Sequence, residues 1–127
     1  MSLLLVSNDL MTGSKVSAVA GRLGLAYSAA MNVAAAVDML TEGTGVVAID
    51  LSMPGLKSPE LVPKLRTKLK VRPKIIAFGP HVYGELLEEA ETSGCDVVVS
   101  RGEFFARMME LLSQQQEAGE DDEGESR

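Results

Sequence analysis

Five short apolar runs, each followed by a stretch with helical spacing, constrain this chain more than any other feature. The runs fall at residues 3–6 (LLLV), 25–29, 46–50 (VVAID), 74–78 (KIIAF) and 97–99 (VVV). A short continuous apolar run reads as a strand buried on both faces. Between the runs, apolar residues recur at i, i+3, i+4 and i+7, the spacing that puts them on one helical face. Val16, Val19, Ala20 and Leu23 form the first such face, with Gly24 placed to end the helix. Val33, Ala36, Val37 and Leu40 form the second, with Asn32 as cap and an end near Gly43. A third carries Leu61, Val62, Leu65 and Leu69 behind Ser58 as cap and Pro59 in the first turn, and Pro63 is expected to shift its start or kink it. The fourth helix is expected at 82–93, with Leu86, Leu87 and Ala90 inward and Gly94 as its stop. The last helix has a broad apolar face of Phe104, Phe105, Met108, Met109, Leu111 and Leu112.

Strand and helix therefore alternate five times with short connections. Strands buried on both faces and separated by amphipathic helices imply a parallel sheet covered on each side. Right-handed crossovers make this a doubly wound α/β sandwich with strand order 2-1-3-4-5 and five helices. In such a sheet ligands bind beyond the carboxyl ends of the strands, where the winding reverses between the first and third. Ser7, Asn8 and Asp9 follow the first strand and Asp50 ends the third, so all four are delivered to one crevice.

At these positions the sequence resembles the receiver domain of two-component response regulators, a flavodoxin-like (CheY-like) fold. The resemblance spans residues 3–112 and centres on the D-x-x-M-P-G turn of Asp50, Leu51, Ser52, Met53, Pro54 and Gly55. It implies that Asp50 stands where the family accepts a phosphoryl group from a histidine kinase. It also implies that the Ser52 carbonyl would be offered to Mg²⁺.

The other signature positions depart from that pattern. The family places two adjacent carboxylates after the first strand, where this chain has Ser7 and Asn8, with Asp9 one position later. The hydroxyl residue at the end of the fourth strand falls on Phe78 or Gly79. The switching aromatic on the fifth strand falls on Val98. The lysine after that strand is Arg101, whose planar fork is not equivalent to an ammonium, and the proline that follows is Gly102. Three carboxylates would present a charge of -3 to a divalent cation, whereas Asp50 with Ser7 and Asn8 presents -1. Mg²⁺ sheds its water reluctantly and favours carboxylate oxygens, and phosphoryl transfer depends on it to neutralise developing charge. Any Mg²⁺ binding, through Asp9, Asp50 and Ser52, is expected to be weak, and no other cofactor is implied.

Charge and composition narrow the field further. Residues 117–127 hold six acids against one base, which accounts for -5 of the chain's formal charge of -6. This acidic tail is expected to be disordered behind a single domain at 1–116. Lys57, Lys64, Arg66, Lys68, Lys70, Arg72 and Lys74 form one basic patch with no aromatic among them, a solvated helix face rather than a nucleic-acid platform. Glu85, Glu88, Glu89 and Glu91 make the fourth helix acidic, and the two charged surfaces could pair head to tail in a homodimer. No apolar run approaches the length of a membrane span, and no secretory leader is evident, so a cytoplasmic location is expected. A lone cysteine, Cys95, and a lone histidine, His81, provide neither a disulfide nor a metal cluster, and no phosphate-cradling glycine motif is present. The expectation is a stand-alone, non-enzymatic receiver-like module that acts through protein contacts, its partner a histidine kinase or a downstream signalling protein. The alternative is an atypical phosphoacceptor modified on Asp50.

Overall fold

The computed structural model describes residues 1–68, 70 and 72–113. Leu69 and the acidic segment 117–127, both assigned roles above, lie outside the described residues. The elements run β1 (Ser2–Val6), α1 (Leu10–Arg22), β2 (Ala26–Ala30), α2 (Val33–Met39), β3 (Thr44–Asp50), α3 (Ser58–Lys68), β4 (Lys74–Gly79), α4 (Gly84–Thr92), β5 (Val97–Ser100), α5 (Arg101–Ala106) and α6 (Met108–Ser113). All strand pairs are parallel and the order is β2-β1-β3-β4-β5, as the alternation implied.

Strand side chains point alternately to two cores. Leu4, Val6, Val47, Ile49, Ile75 and Ala77 meet α2, α3 and α4 through Ala36, Leu61, Val62, Leu65 and Ala90. Leu3, Leu5, Val46, Ala48, Ile76 and Phe78 meet α1, α5 and α6 through Val16, Val19, Phe104, Met108, Leu111 and Leu112. β1, β3 and β4 are apolar in every central position because both of their faces are covered.

Local chemistry moves several boundaries. The Lys57 carbonyl accepts from Glu60 and Leu61 N–H, so α3 is capped one residue before the expected Ser58, which is itself helical and buried. Pro63 lies inside that helix without ending it. It sits early enough that its ring removes a single backbone bond, and burial of Leu61, Val62 and Leu65 outweighs the loss. α4 starts at Gly84 rather than at residue 82 because a turn from Tyr83 N–H to the Pro80 carbonyl precedes it, leaving Val82 73% exposed.

The last helix is not continuous. Arg107 departs from helical geometry (φ -117°, ψ 22°) and divides the segment into α5 and α6, so the described residues hold six helices where five were expected. Phe104, Met108, Leu111 and Leu112 are buried, while Met109, counted above on the apolar face, is largely exposed. The Arg107 guanidinium spans the break, bonding Glu103 on one side and Glu110 on the other.

Candidate functional site

The β1–α1 loop, the β3–α3 loop and the start of α5 meet beyond the carboxyl ends of β1, β3 and β5. Ser7 follows β1 and Asp50 ends β3, both on the sheet face that α1 and α5 cover. Asp50 is 1% exposed. A carboxylate that deep must be paired or hydrogen-bonded. One oxygen, Oδ2, accepts from the Ser7 hydroxyl at 2.8 Å. The other, Oδ1, accepts from the Ser52 backbone N–H at 3.0 Å and the Ser52 hydroxyl at 2.6 Å, and it faces Arg101 Nη1 at 3.6 Å. The turn that begins at Asp50 thus closes back on its own carboxylate, and Gly55 completes it at φ +80°, a conformation that favours glycine.

Asp9 is the N-cap of α1 and accepts from Met11 N–H. Its Oδ2 accepts from the Thr12 hydroxyl at 2.6 Å and from Arg101 Nη2 at 2.9 Å. The Thr12 hydrogen bond, with backbone donors and the Arg101 charge, holds the Asp9 carboxyl below the usual carboxylate range despite opposing desolvation. Arg101 also donates to Thr12 Oγ1 at 3.0 Å. One guanidinium therefore joins Asp9, Thr12 and Asp50, tying α5 to both loops.

Phe78 is the cross-strand register partner of Asp50 on the same sheet face. Its ring stacks on Phe104 at 4.0 Å between centroids and 6° between planes, and Phe105 packs edge-on against Phe104. Phe105 in turn lies beneath the Arg101 guanidinium and Lys15. All three phenylalanines of the chain meet in this one cluster. Gly79 points to the other core, where an added Cβ would come within 3.2 Å of Leu51 Cβ. Neither position brings a hydroxyl to Asp50.

The remaining expected residues separate from this centre. Asn8 is exposed and lines a pocket of about 280 Å³ on the β2 side, with Leu10, Tyr27 and Met31. Val98 is half-buried against the α4 side of the sheet. His81 is exposed. Burial pushes the Cys95 thiol up to about 11, so it is protonated and unreactive at neutral pH. The basic patch is partly structural. Arg66 and Arg72 bond Asp96, Lys68 bonds carbonyls at the end of α2, and Lys74 bonds the Leu111 carbonyl.

Thr12 and Phe104 were not singled out for the site. The spacing Asp9-x-x-Thr12 at a helix start carried a usable signal for the first. The pairing of Phe104 with Phe78 is tertiary and had none.

The residues present do not fit Mg²⁺. Both Asp50 oxygens already accept hydrogen bonds, Asp9 caps α1, and the cation between the two carboxylates is Arg101. Among the described residues no group of three His, Cys, Asp or Glu side chains converges as a metal site.

The fold is the CheY-like flavodoxin architecture. No protein-family model and no curated protein matches the chain. Solved structures do. A response regulator receiver domain from Bermanella marisrubri superposes with a TM-score of 0.70 at 24% identity, covering 88% of this chain and 99% of that one. A CheY-like receiver domain from Methylobacillus flagellatus gives 0.72 at 23%, over 88% and 95%. The receiver domain of a sensor histidine kinase from Pseudomonas aeruginosa, with a magnesium ion coordinated in its active-site cleft, gives 0.74 at 18%, over 87% and 93%. The chain thus shares its fold with receiver domains, and no described helix is long and apolar enough to cross a membrane.

Proposed function

We propose that this chain is a receiver-like signalling module that works through protein–protein contacts, without conventional Mg²⁺-dependent phosphorylation of Asp50. One observation carries the reading: the Asp50 carboxylate is 1% exposed and its oxygens are engaged by Ser7, Ser52 and Arg101. A nucleophile in that state must give up its hydrogen bonds before it can attack phosphorus. Among the described residues no carboxylate pair lies beside it to hold a metal that would neutralise the incoming charge. Phe78 and Gly79 provide no hydroxyl for a phosphoryl oxygen, and Val98 provides no ring to change position. The partner is a protein, a histidine kinase or a downstream signalling protein, and the location is cytoplasmic.

The test is incubation with acetyl phosphate and Mg²⁺, followed by intact-mass measurement. The unmodified mass is expected. An acid-labile gain of one phosphoryl group, lost in Asp50→Ala, would overturn the reading in favour of an atypical phosphoacceptor.

A further inference from the structure

We infer that the Arg101 guanidinium is the resident cation of the crevice and excludes divalent metal from it, so that Asp9 and Asp50 are a cation-binding pair closed by this chain's own arginine. This deepens the proposed function and rests on it.

Asp9 precedes α1 and Asp50 ends β3, separated in sequence by α1, β2 and α2, yet one planar group reaches both. Nη2 lies 2.9 Å from Asp9 Oδ2 and Nη1 lies 3.6 Å from Asp50 Oδ1. The two oxygens therefore face one guanidinium-sized space. Two carboxylates that share a space keep both charges only beside a positive charge, and the buried member has little solvent to screen its own. With the arginine in place the trio carries a net -1, and a divalent ion would be brought against a fixed cation as well as towards the acids.

Arg101 is also held firmly. Ser100 accepts from Glu103 N–H and fixes the start of α5, which puts Arg101 at its first position. Thr12 Oγ1 accepts from Nη2, and the Phe105 ring lies 5.5 Å from the guanidinium carbon. Phe105 belongs to the Phe78–Phe104 stack, so the arginine rests on the core itself. A metal would have to displace a side chain that a salt bridge, a hydroxyl and an aromatic face all retain. Without that side chain the same space is bordered by two carboxylates and the Ser52 hydroxyl, a hard-oxygen set suited to Mg²⁺, Mn²⁺ or Ca²⁺.

The experiment compares the full chain with Arg101→Met and with Arg101→Met/Asp9→Asn, using Mn²⁺ as probe. The readouts are thermal midpoint with and without metal and paramagnetic broadening of the Asp9, Asp50 and Ser52 amide resonances. In wild type, millimolar Mn²⁺ should move neither. Arg101→Met should bind Mn²⁺ at least about tenfold more tightly, because a unit charge a few ångströms from two carboxylates is worth more than a factor of ten. It should also gain thermal stability on metal addition, and the double variant should lose that gain. Selective broadening at Asp9 and Asp50 in wild type would overturn the inference without any variant, which covers the case in which Arg101→Met fails to fold. A folded Arg101→Met with wild-type Mn²⁺ affinity would overturn it too. If wild type then still takes no phosphate, only this inference falls; phosphate on wild-type Asp50 removes the reading beneath it as well.

Discussion

Arg101 donates to Asp9 across 92 residues of sequence, and the same guanidinium stands beside a buried Asp50. The residue that resembles a phosphoacceptor is therefore built into a structural network, and its removal should be felt in stability. Asp50→Ala leaves the Ser7 and Ser52 hydroxyls without their acceptor and Arg101 with one carboxylate fewer. A loss of about 2–4 kcal/mol is expected in urea unfolding, the range for breaking a buried, hydrogen-bonded charge. An unchanged midpoint would mean that the network contributes nothing.

Phe78 is where a hydroxyl could be restored most directly, and the stack with Phe104 sets the cost. Phe78→Thr exchanges a fully buried ring for a small polar side chain and empties the space against Phe104. Truncation of a core phenylalanine costs about 3–5 kcal/mol, so the variant should melt well below wild type. Phe104→Ala should do the same, and the double variant should lose less than the sum, because the two rings stabilise each other. Strict additivity would show that the stack has no energy of its own.

Asp96 gives the fold a pH dependence remote from the crevice. Its carboxylate accepts from Ile75 N–H at 2.8 Å and pairs with Arg66 and Arg72, clamping α3 to the start of β4. Desolvation opposes the charge, but the Arg66 and Ile75 hydrogen bonds outweigh it and lower the pKa. A lowered folded pKa means that the contribution is complete above the unfolded value and is lost as pH falls through the folded one. Wild type should lose this stability in the acid range below the ordinary aspartate value of 3.8. Asp96→Asn should be about 1–2 kcal/mol less stable near neutrality and should lack that part of the acid dependence. Equal acid dependence in both proteins would locate the titration elsewhere.

Cys95 should resist alkylation. With its thiol raised to about 11 by burial, the native protein should react with iodoacetamide far more slowly than the urea-unfolded chain at pH 8. Similar rates in the two states would show that the thiol is open to solvent.

The parts of the fold that rest on periodicity were open to reading from the chain. The alternation of apolar runs and helical faces implied the strand order, and the acid at the end of VVAID implied a position at the mouth of the crevice. What sits around that acid was not open in the same way. Ser7 follows a strand as any loop serine does, and only the fold shows it donating to Asp50. Phe78 could be recognised as a missing hydroxyl, but its partner is 26 positions away on a different element, and local spacing holds no record of such a pair. Arg101 looked like a substitute for a lysine, whereas its reach to Asp9 and Thr12 depends on how α5 lies against α1. The break at Arg107 has a similar origin, because core packing and the ion pairs across it outweigh the helical pattern of the residues on either side.

The aromatic poverty of this chain has an optical consequence. It contains no tryptophan and only two tyrosines, and these lie on different parts of the fold. Tyr27 is half-buried in the wall of the pocket beside α1, whereas Tyr83 is exposed at the head of α4. Ultraviolet emission therefore comes from two reporters in contrasting surroundings, with no indole to mask them. Tyr27→Phe and Tyr83→Phe would each leave a single native fluorophore, and comparing their quenching on addition of a tryptophan-free protein shows whether that protein covers the pocket beside α1 or the head of α4.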